Sequence, residues 1–131
     1  MRVTLLKSKI HRAKITQCSL DYIGSITLDL DLIEAAGLYV YEKVQVVNIN
    51  TGERFETYVI EGKRGSREVG LNGAASRLGV VNDRIIVMSF AELEAESVPQ
   101  FTPKNIVVNE HNEIISTNTK IESNTTFHSI T

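Results

Sequence analysis

Apolar and polar positions alternate loosely over residues 3 to 17, with basic and β-branched residues interleaved, which is the two-residue repeat of a β-strand. Lys9 and His11 fall on one face of that strand, so the face is polar and basic. LDYIGSITL, residues 20 to 28, predicts a second strand with a glycine and a serine in its middle. LIEAAGL at 32 to 38 instead collects helix formers ahead of Gly37, the pattern of a short helix with a glycine C-cap. KVQVVNI and RFETYVIEG, joined by NTGE, give the clearest hairpin signal of the chain. In its second strand Arg54, Glu56, Tyr58 and Ile60 share one face, and Phe55, Thr57 and Val59 the other.

Beyond KRGSRE the pattern predicts a strand from Val69, a small-residue turn at Asn72-Gly73-Ala74-Ala75, and a connecting turn at Asn82-Asp83. Arg84 to Phe90 is the most apolar strand. AELEAES reads as a short helix, Pro99 and Pro103 as a loop, and NIVVNE as a last strand. The Asn-, Thr- and Ser-rich residues from 116 to 131 predict a disordered tail behind a single domain at 1–115. Many short strands, Gly-rich turns and brief helices argue for a mainly β fold, a small closed barrel that removes exposed strand edges.

Composition narrows the function. At 131 residues the chain holds one domain with a real core. A net charge of -2 lacks the basic excess of a nucleic-acid binder, so no nucleic acid is expected as partner. The first twenty residues carry six Lys, Arg or His and no long apolar run, which excludes a signal peptide or membrane span there and predicts a cytoplasmic location with no membrane partner. Cys18 is the single cysteine, and the three histidines are not spaced for zinc, so neither a disulfide nor a metal is expected.

Two Gly-Ser pairs occur. Gly65-Ser66 lies in a charged, turn-like setting, whereas Gly24-Ser25 is flanked by apolar and β-branched residues, where a glycine needs a reason. A bulge or bend in a barrel strand would be a sufficient one. Arg54 beside Tyr58 is ordinarily the solvent face of a hairpin, yet the pair could also hold a small carboxylate. NGAA is ordinarily a tight turn, yet its unshielded N–H groups could cradle the same anion. Lys9 and His11 read most simply as a solvated strand face, and Cys18 as a small core residue.

Taken together, KIHRAKIT at 9 to 16, LDYIGSI at 20 to 26, DLIEAAGL at 31 to 38, NTGERFETYVI at 50 to 60, RGSR at 64 to 67 and LNGAA at 71 to 75 resemble the pyruvoyl-dependent aspartate 1-decarboxylases in order and spacing. The resemblance runs from about residue 5 to residue 110. Val47 stands where some members carry a tryptophan, and Asp21 and Ile23 replace a His and a Glu often found beside the tyrosine. These departures bear on processing and on pocket shape.

The resemblance implies a six-stranded double-psi β-barrel, assembled as a homotetramer with sites between neighbouring subunits. It implies self-cleavage at Gly24-Ser25, with Thr57 as oxyanion donor, and a pyruvoyl group made from Ser25 that replaces pyridoxal phosphate and any metal. L-Aspartate would condense with that ketone and leave as β-alanine and CO2, feeding pantothenate and coenzyme A synthesis. Tyr58 would donate the proton, since a phenol keeps its proton at neutral pH. Lys9 and Arg54 would hold carboxylates; Thr57, Asn72, Gly73, Ala74 and Ala75 would complete the pocket, with His11 and Tyr22 in support. The resemblance also admits a maturation factor. Two other classes stay open: a non-catalytic double-psi barrel that only binds, and a self-cleaving hydrolase with an N-terminal Ser nucleophile.

Overall fold

A computed structural model describes residues 1–122. The alternation at the start of the chain forms β1, Arg2–Lys14, in which Ile10 and Ala13 are fully buried. Two irregularities interrupt its pairing, between Leu6 and Ser8 and between His11 and Ala13, and Arg12 sits at the second with a φ of 70°. After Ile15 and Thr16 the chain continues as β2, Gln17–Ser19. The stretch LDYIG is not strand: residues 20 to 24 form an exposed turn and bend, and β3 begins at Ser25 and runs to Asp29. The expected strand is therefore shorter than its pattern, because residues 20 to 24 have no ladder partner while Ser25 is paired to Asn72.

Helix α1, Leu30–Ala36, follows without a gap. Asp29 caps it by accepting the Asp31 N–H, and Gly37 closes it, as the glycine signal predicts. The hairpin comes next, as β4, Lys43–Asn48, and β5, Arg54–Gly62, paired antiparallel with Lys43 opposite Tyr58. Buried Asn48 organises its turn by accepting the N–H groups of Asn50 and Thr51. β6, Val69–Asn72, runs into a 3-10 turn at Gly73–Leu78.

β7 spans Arg84–Glu94, so AELE is strand and not the expected helix. Glu94, Leu93, Glu92 and Ala91 pair with Arg2, Val3, Thr4 and Leu5, and that long-range ladder outweighs the helix propensity of Ala, Glu and Leu. β8, Lys104–Val108, is the expected last strand, but β9, Ile114–Asn118, pairs with it. The stretch expected as a tail from residue 116 thus begins inside a strand, and residues 123–131 lie outside the described residues.

The strands form one mainly β sheet in the order β2-β6-β3-β5-β4-β7-β1-β8-β9. β1 and β2 are one stretch of chain, separated only by Ile15 and Thr16, yet stand at distant places in that order. The sheet therefore curls until the two meet: Ile15 donates to the Asp83 carbonyl on one side and Thr16 to the Val69 carbonyl on the other. Parallel pairs, β1 with β8 and β3 with β5, are set among antiparallel ones, a mixture consistent with the expected double-psi barrel, here with nine ladder strands among the described residues. Inside, Ile10, Ile26, Leu28, Val44, Val46, Val59, Leu71, Ile85, Val87 and Ile106 make the core. Burial of each such side chain stabilises the fold by about 1.5–3 kcal/mol.

Candidate active site

Ser25 is the first residue of β3 and only 1% exposed. Its partner across the antiparallel ladder is Asn72, the last residue of β6, and side chains opposite one another in a ladder meet. The Asn72 Nδ2 donates to Ser25 Oγ at 2.9 Å and to Thr27 Oγ1 at 2.8 Å. Ser25 Oγ in turn donates to the Ile23 carbonyl at 3.2 Å. Asn72 Oδ1 is buried with no hydrogen-bond partner, an unspent acceptor beside the serine.

On the other flank of β3, Ile26 lies beside Val59 in a parallel pairing, so Ser25 comes one step earlier, level with Tyr58. A cavity of about 350 Å³ opens there, lined by Gly24, Phe55, Glu56, Thr57, Tyr58, Ala74, Ala75 and Leu78. Five of these were expected from the sequence: Gly24, Thr57, Tyr58, Ala74 and Ala75. Phe55, Glu56 and Leu78 were not; for the first two, adjacency to Thr57 on β5 was the available signal. A larger groove, about 780 Å³, is lined in part by Asp21, Tyr22, Ile23, Thr27 and Asn72. Tyr22 is 61% exposed there.

The structure gives Gly24 no steric reason to be glycine. Its φ is not positive, and a Cβ built on it would meet only the Asn72 carbonyl oxygen, at 3.7 Å, an ordinary contact. The demanding glycine is Gly73, buried, with a φ of 65°. A Cβ there would lie 2.6 Å from Gly24 Cα and 2.8 Å from Gly24 N. In the sequence, Gly73 stands out only for an N–H that no side chain shields.

Ser25 itself is not among the residues lining this cavity, and neither are Lys9, His11 and Arg54. They sit on neighbouring rows of the β5-β4-β7-β1 sheet: Arg54 is level with Val47, Ile86 and His11, while Lys9 is level with Met88 and Gln45. Val47 is 8% exposed and fills its place in the first row. Burial lowers the Lys9 ammonium below its ordinary range. The His11 imidazole is pushed down to about 4, first by burial and then by the charges of Lys9 and Arg12, so it is neutral at physiological pH. The bulge at Arg12 is held by Arg84, whose Nη1 donates to the Arg12 carbonyl at 2.8 Å.

The profile of aspartate decarboxylase matches residues 1–115, nearly the whole of the described barrel. The chain belongs to the aspartate decarboxylase family. Aspartate 1-decarboxylase of Maricaulis maris is 53% identical over 116 residues, covering 88% of this chain and 96% of that one. The same enzyme from Caldicellulosiruptor saccharolyticus is 52% identical over 122 residues, 93% and 95% of the two chains. That of Acetivibrio thermocellus is 54% identical over 116 residues, 88% and 92%. Among solved structures, the computationally designed msDPBB_sym2 protein aligns with a TM-score of 0.42 at 15% identity, over 66% of this chain and 99% of that one, too loose a likeness to define topology.

Within this family frame the described residues contain no group of three or more His, Cys, Asp or Glu placed to hold a metal ion. No helix among them is long and apolar enough to cross a membrane. Cys18 is half-buried, and burial raises its thiol above the ordinary range, in keeping with a packing residue.

Proposed function

We propose that this chain is an aspartate 1-decarboxylase that converts L-aspartate to β-alanine and CO2, for pantothenate synthesis, with a pyruvoyl group made from its own Ser25. The observation that carries this reading is the buried Ser25 hydroxyl, held by Asn72, next to a glycine that rims a cavity lined by Thr57 and Tyr58.

In the processing step Ser25 Oγ attacks the Gly24 carbonyl carbon. The C–O bond forms, the C–N bond breaks, and the hydroxyl proton passes to the freed amine. Thr57 is the oxyanion donor in this reading, and Asn72 Nδ2 holds Oγ in position. Loss of the Ser25 α-proton with the Gly24 carboxylate leaves residues 1–24 as one chain and a dehydroalanine at position 25. Water then replaces the amine, releasing ammonia, and a ketone remains.

The residues present fit such a group, because Asn72 Nδ2 is a buried donor at Ser25 and a cavity rimmed by Gly24 adjoins it, while the unpartnered Asn72 Oδ1 would accept an N–H of the substrate's amine. When present, the ketone accepts the substrate's amine and serves as the sink for the electron pair freed with CO2. Arg54 and Lys9 hold the carboxylates, the first by its planar fork. The N–H groups after Asn72 orient the substrate so that the breaking bond stands perpendicular to the electron sink. Tyr58 returns a proton to the carbon that lost its carboxylate.

Lys9, His11 and Arg54 do not line the cavity beside this chain's own Ser25. In the proposed homotetramer a neighbouring copy supplies them, so each site is completed between subunits.

The test is the intact mass of the purified chain, followed over time and after a ketone-selective hydrazide. Two pieces, 1–24 and 25–131, with the hydrazide on the larger one, are expected. An unsplit chain would favour the binding module, and a split chain with a free amine at Ser25 the hydrolase. Cleavage without added protein would dispense with a maturation factor.

A further inference from the structure

We propose that Gly73 is a positioning residue for self-cleavage: its missing side chain lets residues 22–24 lie against the end of β6 and so holds the Gly24 carbonyl in reach of Ser25 Oγ. The inference rests on the self-processing reading above and concerns a residue that this reading uses only for its backbone N–H.

The geometry is local and tight. β6 ends at Asn72, whose side chain is bonded to Ser25 Oγ and whose backbone is in register with Ser25. Gly73 is the next residue, so it cannot drift from Ser25 without pulling Asn72 with it. A Cβ at position 73 would lie 2.6 Å from Gly24 Cα, 2.8 Å from Gly24 N and 3.0 Å from the Tyr22 carbonyl oxygen. All three are backbone atoms, so no rotamer change can make room. Ordinary carbon contacts stand at about 3.5–4.0 Å, so one methyl group would displace the 22–24 segment or Asn72 by roughly 1 Å. Near-attack geometry needs reacting atoms about 3–3.5 Å apart, and a displacement of that size can cost about a hundredfold in rate. Gly24 meets no such obstacle, with its nearest contact at 3.7 Å and no positive φ. The glycine that the scissile bond needs on steric grounds is thus the one 49 positions later in the chain.

The segment also explains why slack would be harmful. Residues 20 to 24 have no ladder partner; the Tyr22 N–H to the Ser19 carbonyl, 3.3 Å, is their one backbone tie among the turn and loop bonds. Contact with Gly73 supplies the wall against which this turn rests.

Two variants test the proposal, Gly73→Ala and a single glycine inserted between Asp21 and Tyr22, each followed by intact mass over time beside the parent chain. Thermal unfolding and amide exchange at Ile26 and Leu28 show that each is folded. Cleavage at least about a hundredfold slower than the parent is expected in both, with the core amides still protected. A role in the turn alone predicts the reverse, a lower melting temperature with folded Gly73→Ala chain cut at the parental rate, and that result would overturn the proposal. If Gly73→Ala does not fold, the insertion decides: cleavage at the parental rate overturns the proposal and slowed cleavage supports it. A parent chain that never splits would instead refute the self-processing reading itself, so the two failures are separate.

Discussion

Gly24-Ser25 and Gly65-Ser66 are the same dipeptide in two settings. Ser25 is buried, bonded to Asn72 and Ile23, and stands at the start of a core strand beside a cavity. Ser66 is exposed, and its Oγ accepts only the Glu68 N–H, at 3.3 Å. Gly24 has an unremarkable φ, while Gly65 sits at 81° with nothing within 4 Å of where a Cβ would be. The turn at Gly65 is built around buried Asp29, whose carboxylate accepts the N–H groups of Gly65 and Arg67 as well as that of Asp31 at the start of α1. Arg64 fastens the same turn to Asp31 and Glu34 on the helix. One dipeptide therefore sets a buried hydroxyl beside a cavity and the other ties a loop to a helix cap. The hydroxyl's neighbours make the difference, since neither glycine nor serine is reactive unaided.

The largest effect that could break this contrast is on cleavage. Ser25→Ala should remain one intact chain by mass, and Ser66→Ala should split like the parent; cleavage of both would show that the buried setting of Ser25 is irrelevant.

Next in size are the effects on turnover at the cavity. Tyr58→Phe removes only the hydroxyl and should lower kcat by about a hundredfold with little change in KM, as for a lost proton donor. Arg54→Lys keeps the charge but loses the fork and should raise KM about tenfold. Both are to be measured on enzyme shown by mass to carry the ketone. A fully processed Tyr58→Phe enzyme with parental kcat would remove Tyr58 from the reaction.

The smallest effects belong to the other pair. Asp29→Ala leaves three N–H groups without their acceptor and should cost about 2–3 kcal/mol of stability in denaturant unfolding. Gly65→Ala meets no neighbour and should cost about 1 kcal/mol, the strain of a left-handed φ alone. Neither should change the cleavage rate of folded protein. Slowed cleavage in folded Gly65→Ala would mean that the two regions are coupled.

Much of this molecule is legible in its residue pattern. The alternation that makes β1, the hairpin of β4 and β5, the Gly37 cap and the apolar run of β7 are local signals, each decided by neighbours within a few positions. Strict alternation in Ala91-Glu92-Leu93-Glu94 also carried the strand, although helix propensity masked it. The family resemblance, carried by these motifs, named five of the eight residues that line the cavity.

What only the tertiary structure decided are contacts between distant residues. Ser25 became the first residue of a strand because Asn72, far along the chain, is where its ladder begins. The pairing of Ile114–Asn118 with β8 turned the start of an expected tail into a strand. The resemblance groups Lys9, His11 and Arg54 with Tyr58, but none of the three lines the cavity beside Ser25 of this chain, although Lys9 shares its row with the lining residue Glu56. The need for glycine moved from position 24 to position 73, because a clash between two backbones that meet only in the folded state leaves no trace in the periodicity of either segment.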